Sequence, residues 1–336
     1  MIEIIERYNK EYQFSDIHFK EDKPIVLRID GDIMILDEDI VSSAELREFA
    51  NDTLNEDQKS YLEEVRDIDL AIEMGSCRFR ANFFYTADGL SAVLRKIEAE
   101  IPTMEQFKLP QVAQDIANKS SGLVLVTGPT GSGKSTSLAA MIGNINHTQN
   151  GHIITIEDPI EYVHHADKCI VSQREVGRDA KSFASALRAA LREDPDVILV
   201  GELRDKETIQ LALTAAETGH LVFATLHTSG APNTINRIID VFPAGQQNQI
   251  RAQLSQSLQM VITQRLFKRT DKDGRIAAFE VMACNAAVRN LIREGKIHQI
   301  TNAMQTAKAE GMVTMDNAIE KLVSTGKISE RNSRLR

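Results

Sequence analysis

Leu123-Val124-Leu125-Val126-Thr127-Gly128-Pro129-Thr130-Gly131-Ser132-Gly133-Lys134-Ser135-Thr136 is the stretch that decides the fold class of this chain. Its last nine residues complete the pattern G-x-x-x-x-G-K-[ST]. The apolar run 123–126 reads as a buried strand, and helix-forming residues follow over 138–142. Strand, Gly-rich turn and helix is the context that makes this pattern a phosphate site. Backbone N–H groups curl around an anion there, and the helix N-terminus adds a favourable dipole. Gly128, Pro129, Thr130, Gly131, Ser132, Gly133, Lys134, Ser135 and Thr136 are therefore the expected nucleotide-binding loop. Lys134 reaches the β- and γ-phosphates in such a loop, and the Ser135 hydroxyl sits on Mg²⁺.

The rest of the chain sets bounds. At 336 residues, two domains are the natural expectation. A hydrophobic fraction of 42% with 26% charged residues is that of a soluble globular protein. No apolar run is long enough to cross a bilayer. The start, Met1-Ile2-Glu3-Ile4-Ile5-Glu6-Arg7, is acidic and amphipathic, unlike a signal peptide. Cys77, Cys169 and Cys284 are isolated and form neither a disulfide framework nor a zinc cluster, which suits a cytoplasmic protein. A net charge of -9 argues against a dedicated nucleic-acid binder. The absence of Trp and 5% aromatics leave few stacking platforms for single strands.

Residues 1–97 read as a small α/β domain. Ile25, Leu27 and Ile29 alternate with other residues up to the turn dipeptide Asp30-Gly31, and Ile33 and Ile35 resume the alternation. The pattern predicts one helix over 43–62, with Ser42 or Ser43 as N-cap. Phe79, Ala81 and Phe83 alternate with Arg78, Arg80 and Asn82, a strand with one apolar and one basic face. Another strand is expected over 93–97. Residues 98–108, without a clear period, are taken as a linker, and 109–336 as the second domain. There, Ile153-Ile154-Thr155-Ile156, Val197-Ile198-Leu199-Val200 and Leu221-Val222-Phe223-Ala224 read as strands. Helical patterns separate them, through Phe183, Leu187 and Leu191, and through Ile209, Leu213 and Ala216. Alternating strands and helices predict a parallel sheet covered on both faces. Beyond Phe242 two helical stripes are expected, one through Ile250, Leu254, Leu258 and Val261, the other through Val288, Leu291 and Ile292.

Ligands in such sheets collect at the carboxyl ends of the strands. Three of those ends are unusually polar. Glu157, Asp158 and Glu161 follow the first strand after the loop; beside a phosphate, one carboxylate polarises water while others support the metal or a neighbouring subunit. Asp196-Val197-Ile198-Leu199-Val200-Gly201-Glu202 ends in an acid and resembles a Walker B element, with Glu202 on the Mg²⁺ shell through water. Arg204 and Asp205 are expected to pair with each other. His220 and His227 bracket the third strand. Both γ-phosphate sensing and a structural role at each strand end fit them. Arg78, Arg80 and Arg95 carry planar donor forks suited to phosphate, and a solvated strand face accounts for them equally well.

Taken together, these elements resemble the secretion ATPases of type II secretion and type IV pilus systems. Thr155-Ile156-Glu157-Asp158-Pro159-Ile160-Glu161-Tyr162-Val163-His164 is similar to that family's aspartate box. The segment 191–205 is similar to its Glu-ended Walker B, and 214–228 to its histidine box. The resemblance runs from Ser15-Asp16-Ile17-His18 to about Ile328. A short chain, no tetracysteine motif and the segment Ala287-Val288-Arg289-Asn290-Leu291-Ile292-Arg293-Glu294 place it nearest the pilus-retraction members. The resemblance implies a RecA-like P-loop ATPase domain behind a smaller N-terminal PAS-like α/β domain. It implies ATP and Mg²⁺ as ligands and a homohexameric ring in which Arg78, Arg80 or Arg95 reaches a neighbour's nucleotide. By position Glu161 orients the attacking water, supported by Glu157 and Asp158. The expected partner is an inner-membrane platform protein, with peripheral association at the inner face of the cytoplasmic membrane. Pilus-assembly or type II secretion ATPases, a RecA-like nucleic-acid translocase, and a module that binds ATP without turning it over are the alternatives.

Overall fold

A computed structural model describes residues 1–75, 77–97 and 100–334. Its chain forms two compact units, Met1–Glu100 and Ile101–Arg336. Glu98 and Ala99 of the expected linker, and the terminal Leu335 and Arg336, lie outside the described residues.

The first unit runs α1 (Ile2–Glu11), β1 (Asp16–Lys20), β2 (Lys23–Ile29), β3 (Asp32–Val41), α2 (Ser43–Thr53), α3 (Glu56–Val65), β4 (Asp67–Met74), β5 (Cys77–Thr86) and β6 (Gly89–Ile97). Its strands form one antiparallel sheet in the order β3-β2-β1-β6-β5-β4. Asp30 and Gly31, at φ 50° and 95°, make the two-residue turn between β2 and β3. Positive φ at both central positions matches the right-handed strand twist, which is why Asp-Gly is favoured there. Phe79, Ala81 and Phe83 are fully buried while Arg78, Arg80 and Asn82 line the other face, as the alternation requires. Ile33 and Ile35 continue the hairpin but stay more than half exposed. They lie on the edge strand, with a neighbour on one side only.

The single helix expected over 43–62 is two. Leu54 is extended, and Asn55 restarts the helix with a reciprocal capping box to Gln58. An Asn side chain competes with the helical backbone for N–H groups and so favours a cap over an interior position. Ser42 caps the first of the two helices, in a box with Glu45.

The second unit runs α4 (Gln111–Ala117), β7 (Gly122–Thr127), α5 (Lys134–Thr148), β8 (Gly151–Glu157), β9 (Cys169–Glu175), α6 (Phe183–Ala190), β10 (Val197–Val200), α7 (Lys206–Glu217), β11 (Leu221–Leu226), α8 (Ala231–Asp240), α9 (Ala244–Ser257), β12 (Leu258–Lys268), β13 (Arg275–Ala283) and α10 (Ala286–Arg293), then short C-terminal helices. The seven-stranded sheet has the order β13-β12-β7-β11-β10-β8-β9. All neighbours are parallel except β13, which returns antiparallel to β12. Leu123, Leu125, Ile198, Val200, Val222 and Ala224 pack on one face, with α6 to α10. Val124, Val126, Val197, Leu199, Leu221 and Phe223 pack on the other, with α4 and α5. Both faces are covered, so these strands read as unbroken apolar runs.

Two sequence expectations change here. The stripe through Ile250, Leu254, Leu258 and Val261 is not one helix. Ile250 and Leu254 belong to α9, whereas Leu258 and Val261 lie on β12 beside β7. Pairing with the buried central strand overrides a helical spacing that an apolar run satisfies equally well. Residues 101–108, expected as linker, fold onto the second unit, where Met104 is buried. Leu213 is fully buried on α7. Leu213→Ala is expected to cost about 2–5 kcal/mol by transfer and cavity terms, read as a lower urea midpoint by far-ultraviolet circular dichroism.

Candidate functional site

The sheet order brings the carboxyl ends of β8, β10, β11 and β7 to one edge. Ile156 pairs with Val200, Val200 with Ala224, and Leu226 with Thr127. The residues that follow these ends are Asp158, Glu202, His227 and the loop at Gly128. His220 precedes β11 and sits at the opposite edge, where Leu221 pairs with Gly122. Its Nδ1 lies 3.0 Å from the Ala215 carbonyl oxygen at the end of α7. Within the chain the two histidines are thus parted, and only His227 reaches the phosphate-loop side.

Glycine is required in the loop for conformation and for space. Gly128, Gly131 and Gly133 have φ of 139°, 74° and 86°. A Cβ at Gly128 would stand 2.3 Å from the Gln264 carbonyl oxygen, and one at Gly133 would stand 2.7 Å from Gln264 Nε2. The backbone contact at Gly128 leaves no room for a side chain, and at Gly133 the Gln264 amide would have to move. The loop leads into α5, whose first turn presents Ser135 and Thr136. Thr136 Oγ1 lies 3.0 Å from the Tyr162 hydroxyl, tying α5 to the aspartate box.

Lys134 is buried, and its Nζ donates to the carbonyls of Gly128 and Pro129, both at 3.0 Å. Burial lowers its pKa from the ordinary lysine value; the charges of Glu202 and Glu161 oppose that shift. The two acids therefore act on the same ammonium. Glu202 receives Arg204 Nε at 2.7 Å and lies 3.4 Å from His227 Nε2. Arg204 also stands 4.0 Å from Asp158. The expected Arg204–Asp205 pair does not form. Asp205 instead caps α7, accepting from the Thr208 N–H and hydroxyl at 2.9 Å each. Helix initiation takes Asp205 because its side chain satisfies an otherwise unpaired N–H.

Glu157 differs from the other acids. Desolvation pushes its carboxyl up to about 7, against hydrogen bonds from Thr155 and Gln173. Those bonds measure 2.7 and 3.3 Å and converge on the same oxygen. Gln173 also donates to the Tyr162 carbonyl at 2.8 Å and accepts from the His164 N–H at 2.7 Å. Glu175 accepts from the Ile160 N–H at 3.2 Å. Gln173 and Glu175 thus hold the aspartate box from β9. The sequence pattern does not single them out, because β9 offers only the apolar pair Ile170-Val171 ahead of the polar run Ser172-Gln173-Arg174-Glu175. Gln264 was missed too, since its segment read as helix.

The three arginines lie in the first unit. Arg80 pairs with Asp69, whose carboxylate takes Nε at 2.9 Å. Arg95 Nε donates to Asp16 at 2.7 Å, and the Arg95 side chain is more than half exposed. Arg78 lies opposite Glu73 in the ladder.

The chemistry of the donor set fits a nucleotide and its metal. A buried ammonium donating to neutral carbonyls is a charge with room for an anion. Ser135 and Glu202 offer oxygen atoms of the kind that Mg²⁺ takes beside phosphates. Among the described residues no group of His, Cys, Asp and Glu could hold a metal by itself, so phosphate oxygens would have to complete the shell.

A phosphate loop between strand and helix, facing acids from neighbouring parallel strands, defines a P-loop nucleotide-binding protein of RecA-like architecture. The sequence profile of the Type II/IV secretion system protein family matches residues 4–334, and the chain belongs to that family. It is 50% identical over 312 residues to the "Twitching motility protein" of Neisseria gonorrhoeae, covering 93% of this chain and 83% of that one. It is 49% identical over 321 residues to the "Type IV pilus retractation ATPase PilT" of Pseudomonas aeruginosa, covering 95% and 93%. The crystal structure of the pilus retraction motor PilT with bound ADP superposes with a TM-score of 0.90 at 48% identity, covering 99% of this chain and 96% of that one.

The raised pKa of Glu157 has a consequence for stability. Between the ordinary glutamate value of 4.5 and about 7, the folded protein holds a proton that the unfolded chain releases. Its contribution is therefore fully present below pH 4.5 and is lost as pH rises through about 7. Glu157→Gln is expected to remove that slope and to leave the nucleotide-free protein about 1–3 kcal/mol more stable than wild type at pH ~8, measured by urea unfolding at pH ~5 and ~8.

Proposed function

We propose that this chain is a Mg²⁺-dependent ATP hydrolase working as a homohexameric motor that retracts type IV pili. The observation that carries the reading is the Gly-rich turn between β7 and α5, with Lys134 buried over its carbonyls, at the same sheet edge as the strand ends that precede Asp158 and Glu202. Relatives about half identical along nearly the whole chain, named for twitching motility and pilus retraction, supply the biological setting.

In this reading the loop N–H groups and Lys134 bind the β- and γ-phosphates, and Ser135 and Glu202 would hold Mg²⁺, Glu202 through water. Bound there, Mg²⁺ would supply charge neutralisation at the phosphates. Glu161 orients a water and takes its proton as the water oxygen attacks the γ-phosphorus and ADP leaves. Glu157, held by Thr155 and Gln173, and Asp158, near Arg204, keep the aspartate box in place. His227 reports the γ-phosphate through Glu202. His220 is structural. Arg78, Arg80 and Arg95 are the candidates for completing a neighbour's phosphate shell, and Arg95 engages Asp16 through Nε while its side chain stays more than half exposed. The working partner is an inner-membrane platform protein, reached from the cytoplasmic face. Among the described residues no helix is long and apolar enough to cross a membrane.

Mutations separate the chemistry from the mechanical task. Lys134→Ala and Glu202→Ala are each expected to lower ATP hydrolysis at least about 100-fold, measured by phosphate release. A wild type no faster than Lys134→Ala would defeat the motor reading. In α10, Val288 and Ile292 are buried, and Arg289 donates to the Ser255 and Gln256 carbonyls at the end of α9. Leu291 is only partly buried against that core. Leu291→Ala is expected to keep hydrolysis within about threefold, because Arg289 of the same helix reaches Gln259 at the start of β12, beside the end of β7 opposite the phosphate loop, yet to weaken retraction scored as twitching. Cells lacking the gene should carry abundant pili that do not retract. Loss of pili instead would assign the chain to assembly.

A further inference from the structure

Glu280 on β13 is a buried carboxylate with no part in the chemistry described so far. It stands in one row across the sheet with Thr263 on β12, Thr127 on β7 and Leu226 on β11. Thr127 and Leu226 are the last residues before Gly128 and His227, so this row underlies the site. Glu280 Oε1 accepts the Ala231 N–H at 2.8 Å, and Oε2 accepts the Met315 N–H at 3.1 Å. These are the first N–H groups of α8 and of the C-terminal helix Met315–Ser324. N–H groups at a helix start lack partners within their helix, and the dipole there favours an anion.

The hold on α8 reaches His227. Segment 227–230 joins β11 to α8, and the first turn of that helix grips it. Thr228 Oγ1 lies 2.7 Å from Thr234 Oγ1, and the Ser229 carbonyl accepts from Asn233 Nδ2 at 2.8 Å. The Gly230 carbonyl accepts from the Thr234 N–H and hydroxyl at 3.0 and 2.9 Å. Segment and first turn therefore form one hydrogen-bonded block, with His227 at one end and the Ala231 N–H, held by Glu280, at the other. The His227 side chain is 44% exposed, so the block, rather than packing around the ring, sets where it stands.

We propose that Glu280 is a positioning residue for ATP hydrolysis: its carboxylate pins the block that aims His227 at Glu202 and the γ-phosphate. The proposal rests on the role given above to His227. ADP has no γ-phosphate, so the pin matters to turnover and not to ADP binding.

The test uses the full chain with Mg²⁺ and reads ATP turnover by phosphate release and ADP affinity by calorimetry. Glu280→Gln keeps the side-chain shape but turns an N–H donor toward one of the two helix N–H groups. It is expected to lower kcat about tenfold, the scale of losing one hydrogen bond to a charged group, with ADP affinity within about twofold of wild type. His227→Ala is expected to lose at least about as much. The double variant should be no slower than His227→Ala alone, within about twofold, because the block then has no histidine to aim. Met315→Pro is the structural control. Thr314 is extended, which suits a following proline, and proline at the first position of a helix removes the N–H that Oε2 holds while leaving Ala231 held. It should keep kcat within about twofold. Should Glu280→Gln not fold, Thr234→Val, of similar volume, removes the hydroxyl that meets Thr228 and Gly230 and carries the same expectation. Wild-type turnover in the positioning variant, ADP affinity lost in parallel with turnover, a matching loss in Met315→Pro, or losses that add in the double variant would each overturn the proposal and leave Glu280 as a helix anchor. Wild-type turnover in His227→Ala would overturn the histidine reading itself, and the proposal with it.

Discussion

The desolvated ammonium of Lys134 is the constraint around which the second unit is organised. A buried cation demands compensation. Here two loop carbonyls solvate it directly, and the charges of Glu161 and Glu202 face it. Neutral carbonyls are weak partners for a lysine. The loop is thereby kept folded without phosphate, while its charge stays available to one. Neither acid is near Lys134 in sequence. Both arrive because parallel strands end together.

That alignment is a packing result. Each of the central strands buries both faces, so shifting one by a residue would turn every side chain into the opposite core, whose packing is shaped for other residues. Register is therefore held by apolar contacts such as those of Leu199 and Val200, and the polar residues just beyond the strands inherit that precision. Supports then come from outside the motifs. Gln173 and Glu175 on β9 brace the aspartate box, and Gln264 on β12 lies against Gly128 and Gly133. A loop placed by strands on either side needs no flexibility of its own to be accurate.

Much of this was legible beforehand because it depends on local chemistry. The Gly-x-x-x-x-Gly-Lys-Ser pattern, the apolar strands 153–156, 197–200 and 221–224, and the Asp30-Gly31 turn all follow from what short segments prefer. The misreadings share one cause. Leu258 and Val261 fit a helical stripe, and nothing in the segment reveals that β7 offers an open edge for pairing. Leu54 likewise breaks a plausible helix because Asn55 finds a better role as a cap. His220 and His227 look equivalent in sequence; one strand length puts them at opposite edges of the sheet.

By itself, then, the sequence determined that this protein has a phosphate loop in a parallel α/β unit, and which acids follow its strands. Those are statements about spacing and propensity, which a linear chain carries. Tertiary structure decided which of those acids act on Lys134, that Asp205 serves a helix while Arg204 serves Glu202, and that Glu157 is held near neutrality. Each of these depends on distance and desolvation between segments far apart in the chain, and such quantities exist only once the sheet has assembled.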